Sequence, residues 1–436
     1  MGEAFHAWPS IIPDRDAVVF VIGTGAAQTP GELAVLDLET GEVTELGLAG
    51  VGPQYVPTGH LVYATEDGSL RAVAFDITSL RVTGNPVPLI DGVMVKAIGA
   101  ANFSISDNGR LVYVPGTQGS LTQALGTLVL VDRTGDATPF TDEQRDYFRP
   151  RMSPDGRRVA VEVTERRGND MATHIWIVAV ETGVATQLTF DGSQNQFPLW
   201  TSDGETVVFR SDRASEDGWG IYRKAADGTG QATLVLQDEG AVVPTDLSRD
   251  GVLLFHKAGQ GGPDDIWTIR LDGDEPASEF LSTPDEERAA RFSPDGRWIA
   301  YQLDEGDGPQ VYVRPYPRTA GSQRRISEEA GRAPMWSPDG QSLYFAGLFP
   351  VPLHVASVQT SPSFLRGRPE ELFIVDENGL RTGPEIFVGP LWDITPDGER
   401  FVMVLPNTGF DAGSRVPQIN VVINWFEELK AQVPVP

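Results

Sequence analysis

Residues 291–317 read RFSPDGRWIAYQLDEGDGPQVYVRPYP and contain a tight turn followed by two strand-like runs. In the turn Ser-Pro-Asp-Gly, proline presets φ, aspartate caps the bend through its side chain, and glycine adopts a positive φ. The runs WIAY and VYVRPY are rich in the β-branched and aromatic residues that favour strands. The stretch therefore predicts a turn that joins two antiparallel strands, followed by a third strand.

The same pattern recurs nine times along the 436-residue chain. Aligned on the last residue of the turn, the nine anchors are Arg15 (a departure from glycine), Gly59, Gly109, Gly156, Gly204, Gly251, Gly296, Gly340 and Gly398. Successive anchors lie 44 to 58 residues apart. A period of this size is typical of a four-stranded propeller blade.

The positions before each anchor also repeat. A large apolar residue lies four positions earlier in every copy: Ile11, Tyr55, Ile105, Met152, Trp200, Leu247, Phe292, Trp336 and Ile394. Two positions before that, five copies carry proline, which has no N–H and therefore favours a strand start or an unpaired edge. We expect each copy to form one radial, four-stranded antiparallel sheet with its first strand beside a central channel. The predicted fold class is an all-β β-propeller.

A propeller needs a strand that seals its ring, because an open sheet edge is exposed to association. The segment Gly126–Phe140, GTLVLVDRTGDATPF, is the best donor for the last repeat, which otherwise supplies WDIT, RFVMVLP and INVVINW. We therefore expect three N-terminal blades in residues 1–125 and a six-bladed ring in residues 126–436, with a closing strand and a short helix at the C-terminus. A single eight- or nine-bladed ring is the alternative.

The residues five positions before the anchors favour the six-membered ring. There Arg151 would neighbour Asp393, and Asp246 would neighbour Arg291, which gives two pairs of opposite charge near the channel. A nine-membered ring would lose the first of these pairs.

The composition restricts the partners. Lys and Arg number 34 against 61 Asp and Glu, so the net charge of −27 argues against nucleic acid as a ligand. The chain has no cysteine, which removes disulfides and thiolate chemistry. No apolar run reaches the ~20 residues of a membrane helix, so no membrane insertion is expected. The start, MGEAFHAWPS, lacks the pattern of a signal peptide, and the sequence leaves the compartment open.

Signals for catalysis are weak. The five histidines show no metal-ligand spacing, no Gly-x-Ser-x-Gly elbow is present, and one aspartate per turn supplies too few oxygens for Ca²⁺. We therefore expect no metal, no cofactor and no enzyme activity. The alternatives are a lyase or hydrolase with its site on the blade loops, and a propeller separated from a prolyl-oligopeptidase-like peptidase.

A basic set near the inner strands is the sharpest candidate for ligand binding. It comprises Arg149, Arg151, Arg288, Arg291 and Arg332. Arginines that meet at one channel mouth would bind a carboxylate or an acidic peptide. The opposing interpretation is that Asp246, Asp393 and Glu287 neutralise these arginines as structural ion pairs.

Several motifs together carry a family resemblance: TLVLVDRTG, PRMSPDGRRVAVEV, DIWTIRLDG, RFSPDGRWIAYQLDE, PMWSPDGQSLYF, TPDGERFVMV and INVVINWFEELK. In this order they resemble the C-terminal, TolB-like propeller of bacterial receptor-like serine/threonine kinases, over residues 127–436. The kinase motifs themselves are missing from this sequence. The resemblance implies a sensor or scaffold module that binds a protein or peptide, periplasmic if it belongs to a receptor. Three blades with open edges also predict a dimer.

Overall fold

The computed structural model describes residues 5–13, 15–23, 31–65, 67–95, 100–115, 125–167, 170–213, 219–238, 242–258, 263–273, 275–306, 308–317, 323–348, 350–381, 390–407 and 419–435. Two compact units divide the chain: an N-terminal unit, Met1–Ala124 with Ser414–Pro436, and a ring unit, Leu125–Gly413. In the described ranges no helix has the length and apolar character needed to span a membrane.

In the described part of residues 1–124, the N-terminal unit begins with ten strands. They are β1 Phe5–Ile12, β2 Ala17–Gly23, β3 Gly31–Asp37, β4 Val43–Val56, β5 His60–Ala64, β6 Leu70–Asp76, β7 Arg81–Val82, β8 Val87–Ile90, β9 Phe103–Ile105 and β10 Leu111–Tyr113. The first half of β4 pairs with β3 and its second half pairs with β5. One long strand therefore ends the first sheet and begins the second.

Over its described residues, the ring unit contains twenty-five strands. They are β11 Gly126–Val131, β12 Ala137–Pro139, β13 Asp146–Met152, β14 Arg158–Arg167, β15 Asp170–Ala179, β16 Ala185–Gln187, β17 Asn195–Trp200, β18 Thr206–Ser211, β19 Trp219–Ala225, β20 Thr233–Asp238, β21 Val242–Leu247, β22 Val252–Ala258, β23 Asp264–Arg270, β24 Ser278–Leu281, β25 Glu286–Phe292, β26 Trp298–Asp304, β27 Pro309–Pro315, β28 Arg324–Arg325, β29 Arg332–Trp336, β30 Ser342–Ala346, β31 Pro352–Gln359, β32 Leu365–Arg366, β33 Glu370–Ile374, β34 Asp393–Ile394 and β35 Phe401–Pro406.

These strands form six antiparallel sheets. Five of these sheets have four strands each. The sheet that begins with β29 has five strands, because β33 also pairs with β31. The last sheet has the order β12-β11-β35-β34, so the strand that precedes the six repeats pairs with the second strand of the final one. This is the pairing expected for Gly126–Phe140. The ring unit is thus a β-propeller whose final sheet combines strands from both ends of the unit.

The end of the chain differs from the expectation. The segment INVVINW was assigned to the last sheet of the ring, together with the short helix. Instead strand β36, Asn420–Val422, pairs with β10 in the order β36-β10-β9, and helix α1, Trp425–Gln432, follows it in the N-terminal unit. The reason is that β11 already occupies the position beside β35, so the third-strand position there is filled.

The Pro-Asp-Gly turns have the predicted geometry. At Asp155 the carboxylate accepts hydrogen bonds from the Ser153 hydroxyl and from the N–H of Arg157, and these bonds lower the pKa of Asp155. The N–H of Gly156 donates to the carbonyl oxygen of Ser153 at 2.9 Å. All eight anchor glycines have φ between 69° and 82°, a region that favours glycine.

Over the described residues, seven of the nine inner strands also carry a bulge that the sequence did not predict. Seven positions before the anchor, a non-glycine residue has a positive φ in five copies: Trp8, Arg149, Phe197, Ala289 and Ala333. The register of the inner hairpin shifts at this point in each of the ring copies concerned. Four of the five recurrent prolines directly follow such a left-handed residue, so proline marks the bulge rather than the start of the strand.

The apolar residues four positions before the anchors lie mainly in the core of the ring. Met152, Trp200, Phe292, Trp336 and Ile394 are each less than 9% exposed, as expected. The indole N–H of Trp200 donates to the carbonyl of Arg151 in the preceding sheet at 2.9 Å. Trp336 makes the equivalent bond to Arg291 at 3.2 Å. Two tryptophans therefore connect neighbouring inner strands.

The N-terminal unit departs from this pattern. Ile11, the first of the nine apolar residues, is 73% exposed. The first two sheets of the N-terminal unit share a hydrophobic core that includes Val19, Leu61 and Phe75. The second and third sheets share another core with helix α1, whose Trp425 and Leu429 are almost fully buried.

Candidate functional site

The channel of the ring unit opens into a cavity of about 530 Å³. It is lined from all six inner strands and from the turns that follow them: Arg151, Met152, Ser153, Pro154, Leu199, Trp200, Asp246, Leu247, Arg249, Arg291, Phe292, Pro294, Met335, Trp336, Pro338, Asp393, Ile394 and Pro396. We call this end of the channel the turn mouth. The turn prolines were read from the sequence as turn formers alone, and their second role as cavity walls was missed.

A narrower space lies on the other side of two arginines. Arg151 and Arg291 line both the large cavity and this second space, which has a volume of about 10 Å³ and is otherwise bounded largely by Phe197, Pro198 and Pro244. Leu199 also lines both spaces, so these three side chains lie between them, and we call this level of the channel the constriction. A ligand at the turn mouth would meet them at its inner end.

The residues five positions before the anchors repeat after three sheets. In ring order these residues are Arg151, Leu199, Asp246, Arg291, Met335 and Asp393. The series arginine, apolar residue, aspartate therefore occurs twice around the ring. Each arginine therefore follows an aspartate of the preceding sheet around the ring. The constriction carries two positive and two negative side chains in a nearly two-fold order.

The two aspartates connect neighbouring inner strands. Asp246 accepts a hydrogen bond from the N–H of Phe292 at 2.8 Å, and Asp393 accepts one from the N–H of Met152 at the same distance. Burial raises the pKa of both carboxyl groups, and the nearby arginine charge opposes this effect. Their first role is structural, because each one fastens an inner strand to the next.

Arg151 is fully engaged by the protein itself. Its guanidinium donates to the carbonyl oxygens of Pro150, Trp392 and Pro390 at 2.8, 3.1 and 3.0 Å. Burial, together with the charge of Arg291, lowers the pKa of Arg151 to about 9. These bonds join the first and last inner strands, so Arg151 stabilises the closure of the ring.

Arg291 occupies the equivalent position but is held loosely. Its contact with Asp246 is 3.5 Å long, beyond the 2.7–2.9 Å or so of a good charge-assisted hydrogen bond. The buried Nε of Arg291 finds no acceptor among the described residues. Of the two channel arginines, Arg291 is the one whose donors are not all satisfied by the described residues.

The other three candidate arginines do not line the cavity. Arg149 forms a buried ion pair with Glu162 at 2.9 Å and stacks over Phe197, with 4.3 Å from the guanidinium carbon to the ring centre. Arg288 binds Asp264 and also Glu286, the latter at 3.1 Å. Arg332 is buried at the start of β29, and this burial lowers its pKa.

The set of five therefore divides. Arg151 and Arg291 share the channel constriction, whereas the other three do not line the cavity. Arg149 lies in the middle of β13, Arg288 lies in the first half of β25, and Arg332 begins β29. The sequence placed all five together because they fall near the same repeat position. The bulge separates residues before it from residues after it, and the proline that follows the bulge in four copies had been interpreted as the start of a strand. Over the described ranges, no three or more His, Asp or Glu side chains are grouped to hold a metal ion.

Comparison with known proteins gave no match to a family model. Among curated proteins, the chain is 26% identical over 191 residues to an uncharacterized peptidase, YuxL, of Bacillus subtilis, a match that covers 42% of this chain and 26% of that protein. It is 25% identical over 214 residues to the uncharacterized protein Atu1656 of Agrobacterium fabrum, which covers 46% of this chain and 69% of that protein.

The first of these relatives corrects one expectation. The sequence was taken to exclude enzyme activity, and that exclusion is wrong, because a protein with detectable similarity is named as a peptidase. The matched part spans about a quarter of that peptidase, so its activity is not thereby transferred.

Among solved structures, a putative TolB from Agrobacterium tumefaciens superposes with a TM-score of 0.52 at 17% identity, over 65% of this chain and 98% of the other. At this identity the likeness concerns the fold alone. It agrees with the repeated four-stranded sheets of the ring unit. The chain contains a multi-bladed β-propeller, and its fold is similar to that of this TolB protein.

Proposed function

We propose that the ring unit binds a peptide or another small ligand at the turn mouth, and that Arg291 holds a carboxylate of this ligand. The single observation that carries the proposal is the state of Arg291, a buried arginine with a long ion pair and an unfilled donor. Arginine favours carboxylates because its planar donors match the two oxygens.

The walls of the cavity suggest the rest of the ligand. Its volume of about 530 Å³ falls within the ~300–1,000 Å³ of typical small-molecule sites. Trp200, Phe292 and Trp336 supply aromatic surface, and the turn prolines supply rigid apolar surface. A short peptide with an apolar or aromatic side chain next to a free carboxylate fits this combination. The name of the peptidase relative also supports a peptide as the ligand.

The test is a titration of the full chain with two N-acetylated tripeptides of the same apolar sequence. One carries a free C-terminal carboxylate and the other a C-terminal amide. We expect the acid to bind at least about tenfold more tightly, since a hydrogen bond to a charged group contributes roughly 1.5–3 kcal/mol. Calorimetry gives the affinity, and the fluorescence of Trp200 and Trp336 reports occupation of the cavity. Mass spectra of the same samples report any cleavage of the peptide.

The variant Arg291→Ala should abolish the preference for the acid. The matched control is Arg297→Ala, because Arg297 is an exposed arginine that pairs with Asp295 and does not line the cavity. Equal binding of acid and amide by the wild-type chain would overturn the proposal. Equal loss of binding in both variants would do the same.

Two finer predictions rest on the sequence resemblance. They are the derivation from the sensor region of a bacterial signalling kinase and the extracytoplasmic location that would go with it. A kinase domain and a membrane helix encoded in frame upstream would support both. Association of two copies through open sheet edges is a separate proposal and concerns the N-terminal unit.

A further inference from the structure

One turn at the mouth of the cavity carries a positive charge at a position where the other turns of the ring unit carry proline or serine. Two positions before the anchor glycine, the six turns have Pro154, Ser202, Arg249, Pro294, Pro338 and Pro396. Arg249 lines the cavity together with the four prolines. Its side chain is exposed, and its guanidinium group forms no ion pair or hydrogen bond with the described residues. The charge of Arg249 is therefore available at the rim of the turn mouth.

The acidic residue next to Arg249 in the chain has other partners. The carboxylate of Asp250 accepts a hydrogen bond from the hydroxyl of Ser248 at 2.6 Å, and this bond lowers the pKa of Asp250. The same carboxylate lies 3.5 Å from the guanidinium group of Arg270. Asp250 therefore serves its own turn and Arg270, and it does not neutralise Arg249.

Arg249 lies close to the level of Arg291 in the channel. It follows Asp246 by three residues, and Asp246 contacts Arg291 at 3.5 Å. Three residues of extended chain span at most ~11 Å. One cavity is therefore lined by an arginine at its inner end and by another at its rim, at levels that a peptide of about three residues can connect.

We infer that the turn mouth selects a peptide with two acidic groups, a C-terminal carboxylate at Arg291 and an acidic side chain one or two residues earlier at Arg249. This inference rests on the proposed binding of a carboxylate by Arg291, and it adds a residue that determines specificity. The net charge of −27 repels acidic peptides at a distance. A preference for an acidic side chain therefore requires a local cation, and a guanidinium group at the rim matches a carboxylate.

The experiment compares the binding of N-acetylated tripeptides that carry glutamate or glutamine at the first or the middle position. Each peptide is used as the C-terminal acid and as the C-terminal amide. At one of the two positions we expect glutamate to bind about two- to fivefold more tightly than glutamine, which is the strength of a partly exposed ion pair. This preference should fall as salt rises from about 20 to about 300 mM, because salt screens exposed charges.

The variant Arg249→Pro removes the charge and gives the turn the Ser-Pro-Asp-Gly sequence of other copies. The N–H of Gly251 already donates to the carbonyl of Ser248 at 3.1 Å, as the N–H of Gly156 does to Ser153 in a proline-containing turn, so the fold should be kept. We expect this variant to lose the preference for glutamate and to keep the preference for the acid over the amide. Arg249→Gln makes the same change of charge without proline and should behave in the same way.

The matched control is Arg157→Gln. Arg157 is an exposed arginine that follows the turn at Gly156, and it does not line the cavity. This variant changes the net charge by the same amount as Arg249→Gln, so both preferences should persist in it.

Equal binding of the glutamate and glutamine peptides at both positions, with the acid still preferred over the amide, would overturn this inference and leave the proposed function standing. A preference for glutamate that persists in both Arg249 variants, or one that Arg157→Gln abolishes equally, would also overturn it. Equal binding of acid and amide would contradict the proposed function, and this inference with it.

Discussion

Replacing Glu162 with alanine is expected to lower the free energy of unfolding of the ring unit by about 3–5 kcal/mol, the usual cost of removing one partner from a buried ion pair. Glu162 is 2% exposed and binds two groups at once. One carboxylate oxygen accepts from Arg149 at 2.9 Å, and the other accepts from the N–H of Phe197 in the next sheet at 2.7 Å. The variant would leave a buried charge and a buried amide without a partner.

The matched control is Glu162→Gln, which keeps the shape and an acceptor for the Phe197 amide but removes the charge. This variant should lower the free energy of unfolding by less than the alanine variant does. Some loss of stability is still expected, because Arg149 stays buried without its counter-ion. Urea denaturation followed by the fluorescence of the ring tryptophans measures both variants. An alanine variant within about 0.5 kcal/mol of wild type, the range of ordinary surface changes, would contradict the assigned pair.

Replacing Trp425 with alanine in helix α1 should destabilise the N-terminal unit by a similar amount, about 3–5 kcal/mol. Trp425 is 1% exposed and belongs to the core shared by the second and third sheets. Its backbone N–H, which the substitution keeps, donates to the carbonyl of Gly109 at 2.9 Å. Loss of the indole would leave a large cavity between the helix and these sheets.

Hydrogen exchange with mass spectrometry separates the effects on the two units. In Trp425→Ala we expect faster exchange in β5 and β6, with β26 and β27 of the ring unchanged. Trp425→Phe, which refills much of the space, serves as the control and should restore most of the protection. Faster exchange in β26 and β27, with β5 and β6 unaffected, would contradict the assignment of α1 to the N-terminal unit.

The regular part of the fold could be predicted from the sequence, because it follows from local chemistry repeated many times. A turn such as Ser293–Gly296 specifies its own hydrogen bonds and a positive φ, and nine copies fix the spacing of the sheets. The closing strand was also predictable, since Gly126–Phe140 is a strand-like segment with no place in its own repeat. These signals need no knowledge of distant contacts.

The departures have a common physical origin, which is competition between distant segments. Whether INVVINW pairs with β35 or with β10 depends on which of these strands already has a partner. The alternation of apolar and polar residues in the segment is compatible with either pairing, so the sequence cannot decide between them. The bulge at Ala289 and Ala333 was hidden because alanine carries no preference for a positive φ. The neighbours impose that conformation.

The candidate site was predicted only in part for the same reason. The repeat position predicts that Arg151 and Arg291 lie near Asp246 and Asp393, and in the structure these four residues line one cavity. The sequence could not distinguish the two arginines, because they differ only in their contacts in the folded chain. Arg151 donates hydrogen bonds to three backbone carbonyls, whereas Arg291 has one long ion pair. Arg149 was misplaced because its true partner, Glu162, lies on the neighbouring strand.

A pair of introduced cysteines measures whether β11 seals the ring. The chain has no cysteine of its own, and Thr127 of β11 lies directly opposite Leu405 of β35. The double variant Thr127→Cys with Leu405→Cys should form an intramolecular disulfide under mild oxidation, seen as faster migration on a non-reducing gel. The control Thr127→Cys with Asn407→Cys is two residues out of register, at roughly 7–8 Å, too far for a relaxed disulfide. Efficient oxidation of the first pair alone is the predicted result. Equal oxidation of both pairs, or none in the first, would contradict a ring closed by the strand that precedes its six repeats.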